Sequence, residues 1–351
     1  MGRMLAGVLL VVLATLADGF LFSKQEDLFL VPSVAFRDRS SPSWVLYNQG
    51  WYYKESPTKA LLMEKTLELI VRKDLDRDRV KMFTAEGLEK KDICIDGLSR
   101  PMCTRTDDEG RIKNTFTMTN AEIDLFRQPG GNGGKVLFQA SVAKKNLKTT
   151  GEIYLCDDNG VTFISDIDDT IKITEVSSTT QTLINTFSGQ FKAVPGMAAA
   201  YRSWEQQYNA TFAYLTASPD QLYPFLRQFF ERENFPAGSA HMRHFTWLDA
   251  NFISFFMSSN YMQKKADILL MFLENTRQRT FVLLGDVFQK DPDIYADIYA
   301  KHPDRIAKIF IRKYANDNDG QLRLETVFRD VPRSKWATFE TGADLPRNVL
   351  A

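Results

Sequence analysis

The stretch "FISDIDDTIKIT" (residues 163–174) decides how the second half of the chain folds. It opens with apolar residues typical of a buried strand, and an acidic loop then interrupts the apolar pattern. The acidic residues of this loop are Asp166, Asp168 and Asp169. Carboxylates this close repel one another, and an apolar neighbourhood removes part of their hydration. A positively charged partner is therefore expected at this position.

Strands and helices alternate after the turn signal at residues 157–160. Continuous apolar runs predict buried strands at residues 161–164, 211–216, 280–286 and 306–313. Helical patterns fall between or beside these runs, at residues 176–188, 196–208, 219–234, 264–276 and 291–302. Such alternation is typical of a parallel sheet that helices cover on both faces. We therefore predict an α/β fold with a doubly wound, three-layer parallel sheet.

A small β-rich, sandwich-like domain is expected before this sheet, over residues 20–157. Its first element is predicted to be a helix that begins at Ser56 and Pro57. Strand candidates follow at residues 79–85, 111–118, 135–143 and 150–156. The parallel-sheet domain is expected to span residues 158–315, and residues 316–351 are predicted to form a polar, peripheral tail.

Composition limits the classes of partner. The chain has 351 residues, of which 44% are hydrophobic, and this is enough for two ordinary domains with proper cores. The formal net charge is +0. A neutral chain offers no electrostatic case for nucleic acid as a partner.

Residues 1–19 have the layout of a secretory signal peptide, with basic Arg3, an apolar run and small residues at the end. An uncleaved anchor is the alternative interpretation. A secretory route predicts a secreted, lumenal or vesicular location. In that environment Cys94 and Cys103 could close a disulfide, and Asn209 opens an Asn-Ala-Thr glycosylation sequence.

Polar residues follow the central strands at their carboxyl ends. They are Asp166 after the first strand, Thr216 and Ser218 after the second, and Asp286 with Asp291 after the third. Ligands of open parallel sheets bind outside this edge. A hard divalent cation gathers carboxylate oxygens and offsets their repulsion, and magnesium prefers such ligands. The sequence therefore predicts a Mg²⁺ site here, with an ammonium from Lys264 or Lys265 nearby.

Four motifs in this order resemble the haloacid-dehalogenase superfamily of phosphohydrolases: Asp-x-Asp-x-Thr, a hydroxyl residue, a lysine, and Gly-Asp with a downstream Asp. Within that superfamily, "FISDIDDTIKITEV", "LTASPDQLYPFL" and "FVLLGDVFQKDPDIYADI" are similar to the phosphatidate phosphatase catalytic domain of the actin-patch-protein type. The similarity runs from about Glu152 to Lys313. An isolated Ca²⁺ loop is a weaker interpretation, because Ile171 and Ile173 follow where further oxygen ligands would be needed.

The resemblance implies roles for the aspartates. Asp166 would attack phosphorus, and Asp168 would protonate the leaving oxygen and then activate water. Mg²⁺ would be held by Asp166, by the backbone carbonyl of Asp168 and by Asp286. Asp291 would be a further ligand or would bond to one. Asp169 would be spare in the chemistry, with capping as its alternative role.

The remaining roles concern binding of the phosphoryl group. Thr216, Ser218 and Lys265 would contact the substrate, and the spacing in the family favours Lys265 over Lys264. Thr170 would form the turn by bonding nearby backbone. The family usually has Gly-Asp-Ser-Gly in its last motif, whereas Val287 and Phe288 follow Gly-Asp here and would make the loop bulkier.

Two further features leave alternatives open. The aromatic segment at residues 244–263 would be a lid or membrane-touching loop, or an inserted helix packed in the core. His241 and His244 are spaced like a metal pair, but ordinary polar histidines are the favoured interpretation.

Taken with the resemblance, these residues predict a magnesium-dependent phosphatidate phosphatase that acts on a phospholipid, at a membrane surface. The alternatives are a phosphatase of another phosphomonoester, such as lysophosphatidate, an inositol phosphate or a phosphoprotein, and a catalytically silent secreted lipid-binding protein.

Overall fold

The computed structural model describes residues 25–129, 133–245 and 261–350, apart from the side chains of the first two residues of the last range. The predicted signal peptide and most of the aromatic segment at residues 244–263 lie outside these ranges, so those predictions stay predictions. Within the described ranges, no helix combines the length and apolar character that a membrane span needs.

The first half of the chain forms a curled, ten-stranded sheet. Its strands are β1 (Glu26–Val31), β2 (Ser33–Arg37), β3 (Ser43–Lys54), β4 (Glu86–Gly87), β5 (Asp92–Ile95), β6 (Cys103–Arg105), β7 (Arg111–Thr119), β8 (Arg127–Gln128), β9 (Lys135–Val142) and β10 (Lys148–Cys156). The main order is β1-β3-β2-β10-β9-β5-β6, with β4 and β7 on β3 and β8 on β9. All strand pairs in it are antiparallel except β10 with β2.

Side chains alternate between the two faces of each strand, and this alternation explains the core of this sheet. Trp44, Leu46 and Tyr52 of β3 enter one apolar cluster with residues from β1, β2, β5, β7, β9 and β10. Cys94 of β5 and Cys103 of β6 face each other in register and form a disulfide. The disulfide considered from the sequence is therefore present.

Three helices accompany the curled sheet: α1 (Pro57–Val71), α2 (Arg77–Thr84) and α3 (Asn120–Phe126). The predicted helix at Pro57 is confirmed, but the expectation that it comes first is wrong, because β1, β2 and β3 precede it. The strand predicted at residues 79–85 is also wrong. Asp76 caps α2 by accepting hydrogen bonds from two backbone amides, and Val80 and Phe83 are buried at helical spacing.

The second half of the chain forms a six-stranded sheet. Its strands are β11 (Val161–Asp166), β12 (Thr211–Pro219), β13 (Ser239–Arg243), β14 (Thr280–Asp286), β15 (Ile306–Arg312) and β16 (Trp336–Phe339). The order is β13-β12-β11-β14-β15-β16, and every pair is parallel. The four predicted strands and the parallel α/β class are confirmed, while β13 and β16 were not predicted.

Helices follow the strands along this half of the chain. They are α4 (Thr179–Phe187), α5 (Met197–Tyr208), α6 (Tyr223–Glu233), α7 (Tyr261–Asn275), α8 (Asp291–Lys301) and α9 (Asn318–Val327). Alternate strand residues enter two cores: Phe163 packs in a cluster with residues of α4, α5 and α6, whereas Ile164 packs in one with residues of α7, α8 and α9.

The predicted peripheral tail is wrong. Trp336 of β16 is buried and pairs with Ile309 of β15. Further on, Leu345 and Val349 join the core that contains Phe163. These widely spaced apolar residues anchor a segment whose average composition is polar, so the C-terminal residues complete the parallel sheet.

Candidate active site

Asp166 is the last residue of β11, at the carboxyl edge of the parallel sheet. Its side chain is fully buried. Oδ1 accepts a hydrogen bond from Lys265 Nζ at 2.7 Å, and Oδ2 accepts one from Thr170 Oγ1 at 2.9 Å. The expectation that the Thr170 hydroxyl bonds nearby backbone is therefore wrong, because it fixes the orientation of the Asp166 carboxylate instead.

Lys265 joins two of the predicted aspartates. It lies in the second turn of α7 and is only 3% exposed. Its Nζ donates to Asp166 Oδ1 at 2.7 Å and to Asp291 Oδ1 at 2.6 Å. The neighbouring Lys264 is exposed. Of the two candidate lysines, the structure thus brings Lys265 to the site.

Asp286 and Asp291 complete a buried cluster with Asp166. Asp286 ends β14, Asp291 begins α8, and each of the three offers an oxygen within 4.8 Å of the others. Asp286 Oδ1 accepts hydrogen bonds from the backbone amides of Phe288 and Gln289, at 2.6 and 2.8 Å. Asp286 Oδ2 is buried and has no hydrogen-bond partner among the described residues.

Gly285 makes this close approach possible. A Cβ atom at Gly285 would lie 2.5 Å from the Cβ of Asp291, which is closer than real Cβ atoms approach. The Gly-Asp pair at the end of the strand therefore has a steric reason: the glycine leaves room for Asp291 beside the strand.

Negative charge exceeds positive charge in the cluster, because three carboxylates face the Lys265 ammonium. Burial, together with the charges of Asp291 and Asp168, raises the pKa of Asp166 to about 8 against the opposing charge of Lys265. Burial, with the charges of Asp291 and Asp166, also holds the pKa of Asp286 well above its ordinary value. A divalent cation is the group that would reverse both shifts.

The donor set fits such a cation. Hard cations take carboxylate oxygens, and the unpartnered Asp286 Oδ2 is a buried acceptor beside two further carboxylates. The Asp168 side chain is not part of this cluster. The role predicted for the Asp168 backbone carbonyl stays a prediction.

Asp168 is instead the centre of a separate network. Its Oδ1 accepts from Thr174 Oγ1 at 2.7 Å and lies 2.8 Å from Lys172 Nζ. Its Oδ2 accepts from Thr216 Oγ1 at 2.6 Å and from Ser218 Oγ at 2.8 Å. The hydroxyls expected to bind phosphoryl oxygens therefore bond to Asp168 here.

This network keeps Asp168 ionised. Burial alone would raise the pKa of Asp168, but the Lys172 charge and the hydroxyl donors outweigh it and hold the pKa well below its usual range. Sequence reasoning missed Lys172 and Thr174. The signal was a lysine between two buried isoleucines, in "TIKIT", since a buried ammonium requires an anionic partner.

Asp169 closes the acidic loop. It adopts a left-handed conformation with φ of 56°, which aspartate tolerates better than most residues. Its carboxylate accepts hydrogen bonds from the backbone amides of Thr174, Glu175 and Val176 at 2.7 to 2.9 Å. These amides belong to a loop, and α4 begins later, at Thr179, with Ser178 as its cap. Asp169 therefore holds the loop and caps no helix, and its absence from the chemistry stays a prediction.

Residues that differ from the family pattern do not all face the site. Val287 is buried in the apolar core. The expectation that it makes the loop bulkier stays a prediction. Phe288 packs against Tyr314, with ring centroids 4.9 Å apart. His244 Nδ1 lies 2.8 Å from Asp220 Oδ1, and His241 contacts Ser239, which agrees with ordinary polar histidines.

Sequence comparisons with known proteins cover the segment that contains this site. Residues 161–313, which hold all three carboxylates and Lys265, match the family described as "Phosphatidate phosphatase APP1, catalytic domain". An uncharacterised protein of Schizosaccharomyces pombe is 34% identical over 199 residues, covering 55% of this chain and 32% of that protein. Phosphatidate phosphatase APP1 of Saccharomyces cerevisiae is 29% identical over 160 residues, covering 45% of this chain and 26% of that protein.

The chain spans less than a third of the length of either relative. Among solved structures, a carbohydrate acetylesterase from Xanthomonas citri aligns over 88% of this chain and 75% of that chain, at 10% identity and a TM-score of 0.28, which is too low to support an argument about fold. The similarity to a family therefore rests on the sequence matches. Residues 161–313 of this chain are similar to the family of APP1-type phosphatidate phosphatase catalytic domains.

Proposed function

We propose that this protein hydrolyses phosphatidate to diacylglycerol and phosphate, with Mg²⁺ as cofactor and an aspartyl-phosphate intermediate on Asp166. The observation that carries the proposal is the buried cluster of Asp166, Asp286 and Asp291 around Lys265. Buried, strongly perturbed groups at one edge of a sheet are typical of catalytic sites. The cluster lies within the segment that matches the catalytic-domain family.

The proposal extends to the fold superfamily. We assign the parallel sheet to a haloacid-dehalogenase-like catalytic domain with a doubly wound, three-layer arrangement, which begins at residue 158 and includes β16 beyond the predicted boundary at residue 315. The support is the parallel order of β11 to β16 and the two cores on alternate strand residues. The preceding β-rich residues form a separate domain in this proposal.

Asp166, Asp286 and Asp291 would hold the cation. The unpartnered Oδ2 of Asp286 is the strongest sign, because a buried carboxylate oxygen without a donor is costly unless a positive charge faces it. When bound, Mg²⁺ would offset the excess negative charge and withdraw electron density from the phosphoryl oxygens.

Within this proposal the residues of the chain divide the chemistry into two steps. One oxygen of Asp166 forms a bond to phosphorus while the bond from phosphorus to the leaving oxygen breaks, and the proton that the phosphate monoester monoanion brings passes through Asp168 to that oxygen. A water oxygen then bonds to phosphorus, the bond to Asp166 breaks, and the proton of the water passes to Asp168. Lys265 orients the Asp166 carboxylate, and Thr216 and Ser218 have hydroxyls in reach of an incoming phosphoryl group.

Phosphate release from dispersed phosphatidate, with Mg²⁺ and with chelator, tests the proposal. The wild-type chain should release phosphate only with Mg²⁺. Asp166→Asn should lower the rate by about 10³-fold or more, since an amide is a poor nucleophile. Asp304→Asn is the matched control, because this exposed aspartate precedes β15 at the opposite edge of the same sheet.

The same assay separates the alternatives. Lysophosphatidate, an inositol phosphate, a phosphopeptide and an aryl phosphate are compared with phosphatidate at equal concentration. If one of these compounds is hydrolysed faster than phosphatidate, that compound is the better candidate for the substrate. Lipid binding by both wild type and Asp166→Asn, with no phosphate released from any compound, would favour the silent lipid-binding protein.

A further inference from the structure

The Asp168 carboxylate receives donors on both oxygens, and the two sets come from different parts of the chain. Lys172 and Thr174 contact Oδ1, and both belong to the loop that carries Asp168. Thr216 and Ser218 contact Oδ2 and belong to the end of β12. About four lone-pair directions exist on a carboxylate, so this one is saturated.

The Oδ1 side of this arrangement is rigid. The backbone amide of Lys172 donates to the Ile167 carbonyl at 2.9 Å, and the Lys172 carbonyl accepts from the Asp169 amide at 2.7 Å. The Thr174 amide is in turn held by the Asp169 carboxylate at 2.9 Å. Both donors are therefore fixed by the same short loop that fixes Asp168.

Lys172 is enclosed beside an aromatic ring. It is 2% exposed, and its Nζ lies 4.9 Å from the centroid of the Phe191 ring. The guanidinium of Arg79 also lies on that ring, 4.0 Å from the centroid, and thereby braces it. Within the described residues, Asp168 is the carboxylate that forms an ion pair with Lys172.

The Oδ2 side can exchange its donors. A hydroxyl rotates about one bond, so Thr216 and Ser218 can transfer their hydrogen bonds from Asp168 to the oxygens of an incoming phosphoryl group without movement of the backbone. Ser218 is half-buried and lies at the accessible end of the strand. Departure of these two hydroxyls would leave Oδ2 open toward the reacting atoms.

We propose that Lys172 is a positioning residue that holds Asp168 by Oδ1, so that Oδ2 is the oxygen that exchanges protons during the reaction. The inference rests on the proposed function. It bears most on the second step: water bonds to phosphorus, the bond from phosphorus to Asp166 breaks, and Asp168 Oδ2 takes the proton of the water. A carboxylate that has lost its Lys172 anchor can rotate away from that water.

Kinetics of the full chain on phosphatidate with labelled phosphate test this role. Lys172→Met keeps a similar length and removes the charge. It should lower kcat by about 10- to 100-fold, as loss of an orienting partner commonly does, with KM within about threefold. The fraction of protein carrying labelled phosphate on Asp166 should rise at steady state, because the second step is slowed more than the first.

Lys192→Met is the matched control, since Lys192 is an exposed lysine close to the same loop. It should leave kcat and the labelled fraction at wild-type values. Lys172→Arg, which retains the charge, should recover part of the lost kcat. If Lys172→Met does not fold, Thr174→Val removes the other Oδ1 donor and should raise the labelled fraction in the same way.

Two results would overturn the inference while leaving the proposed function intact: wild-type kcat in Lys172→Met, or a lower kcat without any rise in the labelled fraction. A merely structural role would give the second result, because fewer folded molecules change the total rate and not the balance between the steps. A wild-type chain that releases no phosphate would overturn the proposed function itself.

Discussion

Lysine–aspartate pairs lie beside both sheets of this protein, at opposite extremes of exposure. At the carboxyl edge of the parallel sheet, Lys265 and its partners Asp166 and Asp291 are at most 4% exposed along their side chains. In the curled sheet, the side chains of Lys148 and Asp96 are 55% and 31% exposed, although their atoms are equally close at 2.8 Å.

The difference shows what the buried pairs are for. Burial removes both charges from water, and this loss often exceeds the attraction that the pair gains, so that apolar replacements of similar volume can be neutral or stabilising. An exposed pair costs little and contributes little. Stability alone therefore does not explain the buried cluster, whereas the proposed catalytic role would explain why its charges lie at one edge of the sheet.

The largest effect on stability is expected from Lys265→Met. The change leaves Asp166 and Asp291 buried without their cation, and loss of one member of a buried ion pair costs about 3–5 kcal/mol of unfolding free energy. Urea denaturation without divalent cations measures the loss. Lys264→Met, one residue away and exposed, should change the free energy by less than about 0.5 kcal/mol. Equal losses in the two variants would contradict the contrast between buried and exposed lysines.

Mg²⁺ should stabilise the parallel sheet by a somewhat smaller amount. At a free concentration one hundred times its Kd, a ligand that binds only the folded state adds about 2.7 kcal/mol. Tm measured with Mg²⁺ and with chelator should therefore rise in the wild type. The cation would have this effect because it would face the otherwise unpartnered Oδ2 of Asp286.

Two aspartate variants locate that effect. Asp286→Asn removes the charge from the cluster and should abolish the increase in Tm. Asp96→Asn makes the same change in the curled sheet and should retain it. An increase that survives Asp286→Asn would show that Mg²⁺ binds elsewhere on the protein.

The sequence predicted the carboxyl edge of the parallel sheet better than the curled sheet. Asp166, Asp286 and Asp291 follow or adjoin strands with continuous apolar runs, so the topology of a parallel sheet brings them together whatever the loops do. Spacing in the family identified Lys265, and its side chain does reach the cluster. These predictions depend on the order of the strands and of the polar residues along the chain, and the sequence gives this order directly.

The errors concern features that depend on contacts between distant residues. The N-terminal strands β1 to β3 alternate imperfectly, and pairing with β7 and β10 establishes them. The segment predicted as a strand at residues 79–85 is mostly helical, because Asp76 caps the helix that begins at Arg77. The orientation of hydroxyl groups could not be predicted from the sequence either. The sequence does not specify whether Thr170 and Thr216 bond to the backbone, to Asp166 or to Asp168.

The smallest effect is expected from the exposed pair of the curled sheet. Lys148→Met should cost about 0.2–1 kcal/mol of unfolding free energy at pH 7 and low salt, because water screens the interaction. The hydrogen bond from Lys148 lowers the pKa of Asp96, and one from Ser141 lowers it further. A carboxyl group with a lowered pKa stabilises the folded state above its unfolded pKa, so the difference between wild type and Lys148→Met should vanish as the pH falls through the folded value. Salt at 1 M should also reduce it. If Lys148→Met instead cost about 3 kcal/mol of unfolding free energy, and salt did not change that loss, exposure would not explain the difference between the exposed pair and the buried cluster.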